Sequence, residues 1–226
     1  MPGGAGIIPL SRSRQREKEK PPMKMLFAAL RLVVAIGIVV AIVATFFDTA
    51  TRATINPFNF FGYFTLQSNI LAAIVLAIAA AATLTGRPQS PALMLARGSV
   101  TTYLIIVGIV YNTLLVGLPG GGGVALPWAN FVLHVASPIY ILLDWLLFSD
   151  REPLPWKRFW VVFIYPFAWL IVVLIRGATD GWVPYPFLDP ATGYASVTAY
   201  SVGIAVGIAL FGAIVWGLSR VRAIPE

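Results

Sequence analysis

Six apolar runs recur along this chain, roughly at 26–47, 60–84, 98–118, 126–148, 158–175 and 198–218. Each is close to the ~20 residues that carry a helix across the hydrocarbon core of a bilayer. Backbone N–H and C=O groups in lipid must be satisfied within the segment itself, and for runs of this length only a helix does so. The chain therefore reads as an all-α membrane protein, a six transmembrane helix bundle. Between the runs lie stretches such as D-T-A-T-R-A-T-I-N-P, T-G-R-P-Q-S-P and S-D-R-E-P-L-P-W-K-R, whose Gly, Pro, Ser and Asp residues break helices. Hydrophobic residues make up 58% of the 226 and charged residues 11%, which leaves no room for a soluble catalytic domain. The expected organisation is a basic, disordered tail over 1–25, the six-helix domain over 26–218 and a short tail over 219–226.

The formal charge of +7 comes from basic residues at the ends of the runs, so membrane topology explains it better than a nucleic-acid surface. With the N-terminus inside, fourteen of the sixteen Lys and Arg residues fall on cytoplasmic segments or flanks, and only Arg52 and Arg176 fall outside. The positive-inside rule then puts both termini in the cytoplasm. Tyr63, Trp128, Trp156, Trp182 and Tyr185 stand near the run ends, where interfacial aromatic belts form. There is no cysteine, so disulfides, thiolate metal sites and a cysteine nucleophile are excluded. No carboxylate set accompanies the single histidine, so no metal and no haem is expected. Gly203 and Gly207 are spaced G-x-x-x-G, which suits close packing within the bundle or a homodimer.

Polar groups inside a span are costly, so each is a candidate site. In the fourth run Asn130, His134 and Ser137 share one helical face, and Pro138 removes the N–H that the His134 carbonyl would use, which predicts a kink. In the second run Asn56 and Pro57 suit a helix start, and Thr65, Ser68 and Asn69 share a face. Counted from Pro57 and Leu126, Thr65 and His134 each lie about 12 Å into the membrane. A hydroxyl and a general base at equal depth suit nucleophilic catalysis. The plainer alternative is a threonine bonded to its own helix and a histidine bridging two helices. Asp144 lies about 15 Å along the helix from His134, too far to orient it, and suits a structural pairing with Arg151, Lys157 or a backbone group. Tyr111 and Asn112 in the third run are further pocket candidates. Arg176, four residues before Asp180, is either a snorkelling anchor with a local ion pair or a receiver of a lipid carboxylate or phosphate.

Three stretches taken in order, F-G-Y-F-T-L-Q-S-N, N-F-V-L-H-V-A-S-P-I-Y-I-L-L-D-W and G-W-V-P-Y-P-F-L-D, resemble the androgen-induced protein family. That family comprises the androgen-inducible and androgen-dependent TFPI-regulating proteins, and the resemblance is closest to its bacterial Pr6Pr membrane-protein branch. The resemblance covers roughly 58–190. It implies six membrane helices and an intramembrane threonine hydrolase that cleaves fatty acid esters of hydroxy fatty acids. It further implies that Thr65 is the nucleophile and His134 the base. The chain departs from the animal members in the Q-S-N that follows Thr65 and in lacking their additional histidines. On this reading Thr65 attacks a lipid ester carbonyl, His134 takes its proton, and Gln67, Asn69 or Asn130 donates to the oxyanion. The expected partner is a membrane lipid or lipid ester, and the expected location is a bacterial plasma membrane. A rhomboid protease is set aside because no G-x-S precedes His134, and a lipid-binding or transport protein using the same pocket is the competing reading.

Overall fold

The computed structural model describes residues 22–118, 123–148 and 150–221, so residues 1–21 of the expected N-terminal tail and 222–226 of the expected C-terminal tail lie outside the described residues. Among the described residues all regular structure is helical. Six helices are long and apolar enough to cross a membrane, as in a multi-pass integral membrane protein. We number them α1 (Pro22–Ala50), α2 (Phe64–Thr85), α3 (Pro91–Val110), α4 (Pro127–Leu147), α5 (Val161–Thr179) and α6 (Tyr194–Leu218). α1 starts four residues before the expected boundary.

Local chemistry sets several ends. Ser90 caps α3 by accepting from the Leu93 N–H, with Pro91 at the first helical position, where its missing N–H loses no bond. Gly86 ends α2 with φ +68°, and Arg87 N–H returns to the Ala82 carbonyl at 3.0 Å, closing the last turn in the left-handed geometry that glycine adopts without strain. The start of α2 departs from the sequence expectation. Asn56 and Pro57 do begin a helix, but it is a single turn, Pro57–Phe60, and the chain bends before restarting at Phe64. Gly62 occupies that bend because a Cβ there would meet the Trp182 ring and come within 2.7 Å of the Phe58 carbonyl.

α3 is the central pillar. Residues Arg97 through Leu104 are all buried, so this helix is enclosed on every side while its neighbours keep an apolar face outward. Val33, Ile36, Val40 and Val43 of α1 and Phe167, Ile171 and Val172 of α5 are exposed, as lipid-facing side chains must be. α1 and α2 approach closely through alanines at Ala35, Ala41, Ala72 and Ala79. Of the G-x-x-x-G pair, a Cβ on Gly207 would touch Ile106 of α3, whereas Gly203 faces open space. Gly207 therefore packs inside the bundle.

The two ends of the bundle differ in chemistry. At one end gather the start of α1, the α2–α3 and α4–α5 connections and the end of α6. There, Asp144 does not pair with Arg151 or Lys157 as expected. Arg31 of α1 binds it through two bonds (2.7 and 3.1 Å), and Arg97 of α3 through one at 3.1 Å. The same two guanidinium groups hold Asp150 at 2.7 to 3.1 Å. Arg151 instead donates to the carbonyls of Phe148 and Leu218, tying α4 to α6. At the opposite end, the connections α1–α2, α3–α4 and α5–α6 form an aromatic cluster. Tyr63 packs edge-on against Trp182 and Tyr185, and a Cβ on Gly123 would strike the Tyr63 ring. Trp128 and Trp156 are exposed as belt residues should be, but Tyr185 is only 5% exposed and turned inward.

Candidate functional site

Two π-helical segments face one another at the aromatic end. α3 runs on as a π turn over Tyr111–Leu115, closed by Val116 N–H to the Tyr111 carbonyl at 2.9 Å. α4 is interrupted by a second over Val132–Ala136, closed by Ser137 N–H to the Val132 carbonyl. The physical cause in α4 is Pro138, which has no N–H to offer the preceding turn, so the ladder widens by one residue there. Tyr111 opens the first segment and His134 sits inside the second. Their rings stack at 3.9 Å between centroids with 22° between planes. Asn130, one turn before His134, donates from Nδ2 to the Tyr111 hydroxyl.

His134 is fully buried, and its Nδ1 lies 3.2 Å from the Asn130 carbonyl oxygen. A carbonyl only accepts, so Nδ1 carries the proton of the neutral ring and Nε2 presents a lone pair. Both Nε2 of His134 and Oδ1 of Asn130 are buried with no hydrogen-bond partner. Buried polar atoms are nearly always paired, so two orphans this close together mark a place where a ligand or water belongs.

Thr65 stands in the first turn of α2. The depth count from Pro57 assumed one continuous helix, whereas the chain bends at Phe61–Tyr63 and the helix carrying Thr65 starts at Phe64, so that count does not hold. That position also decides what its hydroxyl does. Thr45, Thr83, Thr101 and Thr102 donate to the carbonyl four residues back. For Thr65 that residue is Phe61, which precedes the helix, and the Phe61 carbonyl already accepts from Gln67 at 2.8 Å. Thr65 Oγ1 instead lies 3.4 Å from the Tyr185 hydroxyl, which also accepts the Thr65 N–H at 3.3 Å.

Asn69 staples the two faces together. Its Nδ2 donates to the carbonyls of Thr65 (2.9 Å) and Leu133 (3.0 Å), and its Oδ1 accepts from Ser137 at 2.6 Å. Both N–H bonds are occupied, so Asn69 positions the site and has no donor left for an oxyanion. Ser137 is likewise engaged. Thr65 and His134 are thus brought to adjacent turns of neighbouring helices, but they do not hydrogen-bond to each other.

A cavity of about 120 Å³ lies between α3, α5, α6 and the segment that carries Tyr185. Its walls are almost wholly apolar, with Ile106, Val110, Phe163, Leu170 and Ile204 prominent. Thr65, Tyr111, Tyr185 and Ser201 supply its polar groups. His134 does not line it; Tyr111 does, and covers one face of the imidazole.

The remaining candidates separate from this site. Gln67 bonds the Phe61 carbonyl and accepts from Tyr165 at 3.2 Å. Ser68 is buried beside them. Asn112 is exposed and returns to the Gly108 carbonyl of its own helix. Arg176 is not above Thr65 but in a second, open groove with Gln67, Trp169 and Trp182. There it bonds Asp180 (2.8 Å) and Asn59 (2.7 Å) and lies 4.2 Å above the Trp182 ring. The Asp180 carboxyl is held below its ordinary range by the Trp182 N–H and by Arg176.

Tyr185 is the residue the sequence reading missed. Burial pushes its hydroxyl up to about 12, against the opposing effect of its bonds to Thr65, so the phenol is neutral at physiological pH. The available signal was P-Y-P, since prolines on both sides hold Tyr185 extended (φ −136°, ψ 139°) and aim one side chain inward.

The chain matches no protein-family model, and neither a curated protein nor a solved structure is similar to it.

Proposed function

We propose that this protein is an intramembrane threonine hydrolase of lipid esters, as its resemblance to the androgen-induced proteins implies, with Thr65 as nucleophile and His134 as general base. The observation that supports this most is the placing of the Thr65 hydroxyl on the wall of an apolar cavity, where Tyr111 of the same wall stacks on a buried imidazole whose Nε2 has no partner. The cavity accepts the carboxyl end of an acyl chain, whose remainder extends out of it, and brings the ester carbonyl to Thr65. His134 Nε2 takes the hydroxyl proton as Oγ1 bonds to the carbonyl carbon, and it returns that proton to the departing alkoxide. Water then releases the acid from the acyl-threonine by the reverse sequence. Tyr111 is the group that must shift for the imidazole to reach Thr65, because it covers His134 and lines the cavity. Both termini lie in the cytoplasm of a bacterial plasma membrane. Leaving out Arg31 and Arg97, which serve the ion-pair cluster, twelve basic residues remain on the side of the termini.

A second reading is a lipid-binding or transport protein that uses the same cavity without breaking bonds. It is favoured by the hydrogen bond that Thr65 makes to Tyr185 rather than to His134. Purified wild-type and Thr65→Ala proteins, incubated with a panel of fatty acid esters including esters of hydroxy fatty acids, separate the two. Fatty acid release by the wild type alone supports hydrolysis. Binding of the esters by both proteins with release by neither supports the second reading.

A further inference from the structure

We propose that Tyr185 is a catalytic residue of this site, the hydrogen-bond donor that receives the negative charge when a carbonyl is attacked at Thr65. The proposal rests on the hydrolase reading above. An ester under attack by Thr65 Oγ1 places its carbonyl oxygen within a bond's reach of that atom, and the electron pair of the C=O bond moves onto this oxygen. A site without a donor there leaves an anion in an apolar, membrane-embedded cavity, where it is least tolerated.

The expected donors do not serve. Both N–H bonds of Asn69 are held by the Thr65 and Leu133 carbonyls, and Ser137 donates to Asn69. Gln67 donates to Phe61 and faces the second groove rather than this cavity. Asn130 donates to Tyr111 and does not line the cavity either. Tyr185 differs from all of them. Its hydroxyl is the polar side-chain group that contacts Thr65 Oγ1, at 3.4 Å, and it lines the same cavity. It accepts the Thr65 N–H, which fixes the oxygen in place while its own proton stays free to rotate toward a new acceptor. Its ring is gripped by Tyr63 and stacked on Phe187 at 5.3 Å, so the donor is held before substrate arrives. Such preorganisation is what makes an oxyanion donor effective. In the resting structure this hydroxyl satisfies Thr65; during attack it turns to the carbonyl oxygen, and it releases that oxygen when the C=O bond re-forms and the alkoxide leaves with the proton from His134.

The full-length protein in detergent, with umbelliferyl oleate as probe substrate, provides the test. Tyr185→Phe keeps the ring and its packing and is expected to lower kcat by about 100- to 1000-fold with KM changed by less than about threefold. Hydrolysis that persists in Thr65→Ala, or is absent from the wild type, overturns the hydrolase reading and this proposal with it. Hydrolysis abolished by Thr65→Ala but kept within about threefold in Tyr185→Phe overturns the role of Tyr185 alone. If Tyr185→Phe does not fold, difluorotyrosine incorporated at 185 keeps the hydroxyl but makes it more acidic. The alkaline limb of the kcat profile then moves to lower pH, because the ionised phenolate cannot donate, and an unmoved limb overturns the proposal.

Discussion

The bundle holds two buried polar centres, one toward each end, and they are built on opposite terms. Arg31, Arg97, Asp144 and Asp150 match two positive charges with two negative ones through six contacts of 2.7 to 3.1 Å. The Thr65, Asn130 and His134 centre carries no formal charge and leaves two buried atoms without partners. Buried charges are tolerated when they are paired and hydrogen-bonded, so the first centre has the form of a structural clasp joining α1, α3, α4 and the connection after it. Unpaired polar atoms in a bundle interior cost stability, and these two lie against Tyr111, which lines the cavity, so they point to a ligand. Polar content alone does not separate structure from function in such a protein; pairing and nearness to a cavity, taken together, do.

The sharpest way to break this comparison is His134→Gln. It should lower ester hydrolysis on the order of 10³-fold, while thermal unfolding changes by less than the ~3–5 kcal/mol of a clasp variant, since the Nδ1 bond to Asn130 and the stacking on Tyr111 are all that is lost. A melting loss as large as that of a clasp variant would erase the distinction between the centres. Asp144→Leu, which leaves two guanidinium groups to share the single carboxylate of Asp150, should cost about 3–5 kcal/mol and show as lost folded monomer in detergent. Adding Arg31→Met should recover part of that, since Arg97 and Asp150 still pair. The clasp should also respond to acid. Burial by itself would raise the Asp150 carboxyl, but Arg97 and Arg31 hold it below the ordinary carboxylate range. Its contribution is therefore complete above the unfolded-state value and is lost as pH falls through the lower folded value. Unfolding temperature followed downward from neutral pH should drop in that acid window, and should drop less in Asp150→Asn. Asn69→Leu should cost about 1–3 kcal/mol by leaving the Leu133 carbonyl without the Asn69 donor, as measured by thermal melts. Asn112→Ala, exposed and bonded to its own helix, should change stability by less than about 0.5 kcal/mol and leave hydrolysis unaltered.

Much of this was legible beforehand, and the exceptions share a cause. The spans were found within about four residues except for α3, which begins at Pro91 rather than near 98, and Ser137 does meet Asn69 of α2 while His134 bonds the Asn130 carbonyl. The start of α2 was misread because Asn56 and Pro57 give a true helix start for a helix that lasts one turn. It is followed by Gly62, where the ring of Trp182, from more than a hundred residues away, leaves no room for a Cβ. Arg31 and Arg97 read as topological flanks, since nothing local says that two cations from different spans converge on Asp144. Tyr185 read as a belt residue for the same reason.

Hydrophobicity is a property each residue carries with it, and its sum over ~20 positions decides whether a segment enters the bilayer. The sequence by itself therefore determined the helix count and the approximate spans. A hydrogen bond depends on two side chains meeting within about 3 Å, and that is set by the rotation and depth of whole helices against one another. Only the tertiary structure decided that Asn69 is a staple, that the two arginines form a clasp, and that the Thr65 hydroxyl rests against Tyr185 while Nε2 of His134 waits without a partner.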